Sequence, residues 1–215
     1  MKNLNIILSR TVLIGLMTLV VSCVDKKKEG ENKAENHHDQ EMHEGEMHHD
    51  NEMIDGSTDT MAEKSDMTVT ESNTASPLIE NYLVVKNALV NDDSDVAQKA
   101  GERLAKSAEA FDVSEVEESK QKEVKSILDK IKTLATQISE NDIAQQRTHF
   151  AEINVSMKDL LSITGSDRTL YEQYCPMYAN NEGGSWLSES QDIKNPLFGS
   201  QMLKCGAVKQ TIVLQ

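Results

Sequence analysis

Hydrophobic residues recur at helical spacing through the middle of the chain, beginning at Pro77. The periodicity divides into four stretches, which cover residues 77–90, 95–110, 120–139 and 143–163. Short polar breaks separate them, and Gly165 follows the last one as a typical helix C-terminal residue. Short connections favour antiparallel neighbours. The pattern therefore predicts an all-α fold: an antiparallel four-helix bundle followed by an irregular C-terminal segment that carries cysteine and methionine.

The chain opens with a basic start and an apolar run, residues 11–21, that is short for a membrane span. The run ends in Val20-Val21-Ser22-Cys23, which resembles the lipobox of bacterial lipoproteins. This resemblance implies a lipoprotein signal peptide over residues 1–22 and lipid attachment at Cys23. We then expect a protein anchored by acyl chains to a membrane of the cell envelope, facing the periplasm or the cell exterior. An ordinary signal peptide with a chance cysteine is the alternative.

The segment 23–76 has the composition of a disordered tether. Between residues 24 and 76 there is no aromatic side chain, and acidic, amide and hydroxyl residues dominate. The whole chain carries 36 acidic and 22 basic residues, a formal net charge of −14. Such acidity disfavours nucleic acid and anionic membrane surfaces as partners and is compatible with binding cations. The folded domain is therefore expected to occupy residues 77–215.

Histidine and methionine cluster within this predicted tether. Five of the six histidines lie there, and the unit Glu-Met-His occurs twice. Imidazole suits Cu(II) and zinc, and thioether suits Cu(I), so the tract predicts loose metal binding. It is similar to the His/Met-rich segments of bacterial copper and silver resistance proteins. The alternative is a hydrophilic linker whose histidines are incidental. The predicted ligands are His37, His38, Met42, His43, Met47, His48, His49 and Met53.

Four sulfur-bearing residues form a second candidate site near the C-terminus: Cys175, Met177, Met202 and Cys205. Pro176 favours extended geometry at Cys175, and residues i and i+2 of an extended segment point to one side. A helical turn from Met202 to Cys205 would also place those two on one face. Two thiolates and two thioethers are the ligands that select Cu(I). The spacing also fits a disulfide between the two cysteines, which is the more common arrangement in exported proteins, and both interpretations stay open.

The C-terminal motifs resemble those of the DUF3347 family. They are Tyr174-Cys175-Pro176-Met177, Trp186, Asn195-Pro196, Gly199 and Met202-Leu203-x-Cys205-Gly206, and they follow the four helical stretches. Members of that family occur as lipoproteins and as a C-terminal module on periplasmic adaptor subunits of heavy-metal efflux pumps. The resemblance implies metal handling by association, with an efflux adaptor as a partner. It points to the same four sulfur residues.

Together these features predict a membrane-anchored, extracytoplasmic protein that binds copper or silver, for sequestration or for handover to an efflux system. Cu(I) is the favoured ion, and silver and zinc are the further candidates. The alternative is a disulfide-stapled helical protein-interaction module without metal. An enzyme is not expected, because the chain has no Cys-x-x-Cys pair, no zinc-hydrolase spacing, no phosphate loop and no Ser/His/Asp pattern.

Overall fold

The structure is a computed structural model and describes residues 66–215. Within that range the chain forms five helices and four strands, with short 3₁₀ helices at Val113–Glu115 and Gly199–Met202. The helices are α1 (Ser76–Val90), α2 (Ser94–Glu109), α3 (Glu118–Glu140), α4 (Ile143–Thr164) and the four-residue α5 (Tyr178–Asn181). The strands are β1 (Met67–Val69), β2 (Leu170–Cys175), β3 (Gly184–Ser188) and β4 (Ala207–Leu214).

The four long helices begin and end at residues suited to those positions. The side chain of Asp93 accepts a hydrogen bond from Val96 N at 2.9 Å and caps α2, and Asp142 caps α4 in the same way. Gly165, with φ of 79°, ends α4 as predicted. Along the chain each long helix packs against the next. None of the helices within residues 66–215 is both long and apolar enough to cross a bilayer.

The predicted all-α class is wrong, because one strand before α1 and three strands after α4 build a four-stranded mixed sheet. The strand order is β1-β4-β2-β3: β2 lies antiparallel to both β3 and β4, and β1 lies parallel to β4. The segment predicted to be irregular supplies three of these strands. Its strand pattern is obscured because β2 buries Glu172 and Gln173, two polar residues at positions where an apolar side chain is expected.

The fourth strand comes from the segment predicted to be a tether. β1 pairs with β4 in the register Met67 with Ile212, and Ser72 N donates to Ser166 O at 2.9 Å. Ordered structure therefore begins upstream of Pro77, the boundary that the helical pattern suggested. The strand has only three residues, which is too short for a periodic signal, and its partner lies about 145 residues away in sequence, so local pattern does not reveal it.

Tyr82 of α1 fixes the sheet against the helices. Its ring stacks on Phe150 of α4 with 4.9 Å between centroids, and its hydroxyl donates to Asn154 Oδ1 at 2.9 Å. The same hydroxyl accepts from Leu187 N of β3 at 2.9 Å. Burial raises the pKa of Tyr82, so the hydroxyl keeps its proton for the bond to Asn154. One side chain thus joins α1, α4 and β3, and it sets the position of the strands that carry the candidate site.

Candidate functional site

The two predicted cysteines meet and are joined in a disulfide. Cys175 is the last residue of β2, Cys205 follows the second 3₁₀ helix, and their Cα atoms lie 5.6 Å apart. Cys175 is fully buried, whereas Cys205 is partly exposed. The fold therefore brings together sulfur atoms from positions thirty residues apart in sequence. In the disulfide form neither sulfur is a thiolate, which is the form that binds metals.

Met202 and Cys205 lie in one tight turn. The 3₁₀ helix Gly199–Met202 ends at Met202, and Cys205 N donates to Met202 O at 2.9 Å. Met202 is partly buried. This i to i+3 hydrogen bond closes a turn between the two sulfur-bearing residues.

Met177 occupies a different environment from the other three. β2 ends at Cys175, and Met177 has helical backbone angles (φ −81°, ψ −13°) at the start of α5. Its side chain is 49 % exposed. An extended Cys-Pro-Met segment would place the Cys175 and Met177 side chains on one side. The extended geometry ends at Cys175, so this expectation is not met. In this conformation Met177 lies at the protein surface beside the disulfide segment.

Asn195 organises the residues that lead to Cys205. It is fully buried, and its Nδ2 donates to Cys205 O at 3.0 Å while its Oδ1 accepts from Leu197 N at 2.8 Å. Its backbone N donates to Leu203 O at 2.9 Å. We call residues 189–206 the C-terminal loop. Asn195 has no assigned role from sequence beyond its place in the Asn-Pro motif; that motif was the signal that marked it.

A buried polar pair anchors the first part of the C-terminal loop to the sheet. Trp186 Nε1 of β3 donates to Gln173 Oε1 of β2 at 2.7 Å, and both side chains are fully buried. Gln173 Nε2 donates in turn to the carbonyl oxygens of Ser190 and Asp192 at 2.8 and 3.2 Å. Because all these polar groups are paired, burying them is not penalised. The pair explains why a glutamine lies in the centre of the sheet.

Arg147 of α4 attaches the C-terminal loop to the helices. Its Nε donates to Pro196 O and its terminal nitrogen to Leu89 O, each at 3.0 Å. The same guanidinium pairs with Asp92, whose other carboxylate oxygen accepts from Ser200 N at 3.1 Å. Hydrogen bonds from Ser200 and from Arg147 lower the pKa of Asp92 below its usual range. Sequence alone does not mark Arg147 or Asp92 as part of the site.

The other predicted site residues lie outside the described part of the chain. These are Cys23, the predicted lipid attachment residue, and His37, His38, Met42, His43, Met47, His48, His49 and Met53. Within residues 66–215 no group of three or more His, Cys, Asp and Glu side chains is arranged to hold a metal ion. The predicted C-terminal site is not a group of this kind, because two of its four predicted ligands are methionine thioethers.

The fold and site define a helix-and-sheet domain whose C-terminal loop is linked to the sheet by a disulfide. The model of the family described as "Protein of unknown function (DUF3347)" matches residues 78–169, which confirms the resemblance to that family over this part of the chain. The match ends before Cys175 and thus covers the four long helices without the disulfide. No curated protein and no solved structure matches the chain.

Proposed function

We propose that the protein is a lipid-anchored, extracytoplasmic protein that binds a soft metal ion at Cys175 and Cys205. Cu(I) is the favoured ion, ahead of silver and zinc, because thiolate and thioether ligands select it. The observation that supports this proposal is the approach of the two cysteines to 5.6 Å between Cα atoms, with Met202 in the same turn as Cys205. Cys23 provides the membrane anchor.

Metal binding at this site requires the open, reduced form. The Cys175–Cys205 bond takes up two electrons and two protons from an external dithiol, which is itself oxidised to a disulfide. Cu(I) then displaces the thiol protons and binds two thiolates. Met202 supplies a thioether from the turn, and Met177 supplies a second when its exposed side chain folds over the site. Since protons compete with the metal, affinity falls as pH decreases.

The His/Met tract upstream is proposed as the collecting part of the molecule. We expect the imidazole and thioether groups of this tract to bind copper weakly and with loose stoichiometry. The sulfur site then holds the ion more tightly and either sequesters it or passes it to the adaptor subunit of an efflux pump. The net charge of −14 favours the approach of cations to the whole chain.

A second candidate function is a disulfide-stapled interaction module without metal. The disulfide between Cys175 and Cys205 favours this alternative directly. Such a disulfide restrains the unfolded chain and thereby raises the free energy of unfolding by a few kcal/mol. Disulfides are common in exported proteins. The two candidates differ in one property, which is whether the reduced cysteines bind a metal ion.

Competition titration with a chromogenic Cu(I) chelator tests the proposal. The sample is the reduced, anaerobic chain that starts after Cys23. We expect Cys175→Ser and Cys205→Ser each to remove the tightest site, and Met202→Leu to lower its affinity. Met157→Leu is the matched control, because it removes a thioether away from the site: Met157 is a fully buried core methionine of α4. Unchanged affinity in both cysteine variants would leave the interaction module as the better account.

A further inference from the structure

We propose that Asn195 is the positioning residue of the sulfur site. It holds the backbone of the Met202–Cys205 turn in place, so that the two thiols remain neighbours when the disulfide is open. This proposal rests on the proposed function, because it concerns the reduced form that binds metal. Asn195 itself contributes no ligand; it acts through the position of Cys205.

The hydrogen bonds of Asn195 close the C-terminal loop without using either sulfur. Side-chain Nδ2 donates to Cys205 O at 3.0 Å and backbone N donates to Leu203 O at 2.9 Å. Side-chain Oδ1 accepts from Leu197 N at 2.8 Å, and backbone O accepts from Gly199 N at 3.0 Å. All four polar groups of this fully buried residue are therefore paired within the loop. None of these bonds involves a sulfur atom, so we expect them to persist when the disulfide is open.

The sheet fixes the other side of the site independently. Tyr174 pairs with Ala207 of β4, and Cys175 pairs with Gly184 of β3. Between the disulfide and β4 lies Gly206, with φ of 139°, where a Cβ atom would lie 2.9 Å from Tyr174 O. The backbone on both sides of Cys205 is thus held, by Asn195 before the strand and by β-pairing after it.

Arg147 adds a connection from the loop to the helices. It binds Pro196 O, the carbonyl next to Asn195, and its partner Asp92 accepts from Ser200 N. The loop is therefore attached at its start, middle and end by non-covalent contacts. We infer that the dithiol is preorganised: the thiols keep a high effective concentration toward each other, and little ordering is required when an ion binds.

The test is the thiol–disulfide equilibrium of the metal-free chain in defined dithiol buffers. Asn195→Ser is the sharpest variant, because a serine hydroxyl can accept from Leu197 N in the same kind of turn and is too short to reach Cys205 O. We expect a tenfold lower effective concentration of the two thiols, which makes the potential about 30 mV more oxidising. Asn195→Ala should give at least the same shift. If Asn195→Ala fails to fold, Asn195→Ser carries the test.

Gln146→Ala is the control, since Gln146 is also a fully buried amide, and its Nε2 donates to the carbonyl oxygens of Ser94, Ile138 and Asn141 among the helices. It should lower the stability of the domain and leave the potential unchanged. An unchanged potential in a folded Asn195→Ser protein, or an equal shift in Gln146→Ala, would overturn the positioning role. This readout contains no metal. A wild-type chain that fails to bind Cu(I) therefore refutes the proposed function alone, and the potential decides the role of Asn195 separately.

Discussion

Reduction of the Cys175–Cys205 disulfide should lower the stability of the domain without unfolding it. The bond links residues thirty apart, so the chain-entropy relation gives about 3.5 kcal/mol for its restraint on the unfolded chain. For an ordered region of about 150 residues, each kcal/mol shifts the melting temperature by about 2–4 °C. We therefore expect a decrease of about 10 °C, with a cooperative transition retained because Asn195, Arg147 and the β-pairing hold the loop.

The assay is thermal unfolding followed by the circular dichroism of the helices, on the same chain with and without a dithiol reductant. Both samples have one sequence, so no mutation alters the packing around the fully buried Cys175. Cys205→Ser serves as the control, because it lacks the disulfide and its melting temperature should not respond to reductant. A reduced protein that is already unfolded at 25 °C, or that shows no cooperative transition on heating, would refute the claim that non-covalent contacts hold the reduced site. A shift below about 2 °C would refute the estimate of the restraint.

Three further predictions concern Arg147, Asp92 and the cysteines. Arg147→Met should destabilise the domain by about 2–4 kcal/mol in denaturant titration, because two carbonyls and the Asp92 carboxylate lose the Arg147 guanidinium. The control Arg103→Met, at an exposed position of α2, should be near neutral. The pKa of Asp92 is lowered in the folded state, so the ionised carboxylate stabilises the fold. This contribution to stability is fully present above the unfolded pKa of about 4 and is lost as pH falls through the folded pKa. Asp92→Asn should therefore flatten the acid side of the stability–pH curve, and an unaltered curve would contradict this assignment. Finally, a maleimide should label Cys205 readily in the Cys175→Ser variant. In the Cys205→Ser variant, Cys175 should stay protected until the domain unfolds, because it is fully buried. Equal labelling rates in the two folded variants would argue against the described burial.

The helices could be predicted from sequence because their signals are local. Apolar spacing, the capping residues Asp93 and Asp142 and the terminal Gly165 all act within a few residues. The predicted bounds of all four long helices lie within two residues of those observed. The sheet could not be predicted in the same way, because pairing β1 with β4 depends on residues far apart in sequence.

Polar burial was the main obstacle to reading the C-terminal segment. Glu172 is buried beside Lys158 of α4, with 2.6 Å between Oε2 and Nζ, and Gln173 is buried beside Trp186. Each partner comes from another element, so the strand Leu170–Cys175 does not show the alternation of a half-buried strand. Amphipathic periodicity reports which residues face a core only when the buried face is apolar.

The candidate site was predicted in part. The approach of Cys175 to Cys205 is common to both interpretations of the spacing, the disulfide and the metal site, because the two cysteines have only each other as a partner once Cys23 is assigned to lipid. The Asn-Pro motif marked Asn195 but not its role, and nothing in the sequence marked Arg147. Both side chains contact main-chain carbonyls, and any sequence supplies a carbonyl at every position, so these contacts leave no sequence pattern.

The most direct test of the central claim compares Cu(I) binding by the oxidised and reduced forms of one chain. The His/Met tract is identical in both forms, so any difference in tight binding belongs to Cys175 and Cys205. Competition titration under anaerobic conditions should find about one more tightly bound Cu(I) in the reduced chain. Equal binding by the two forms would contradict a sulfur site at this disulfide and would leave Cys175 and Cys205 a structural link.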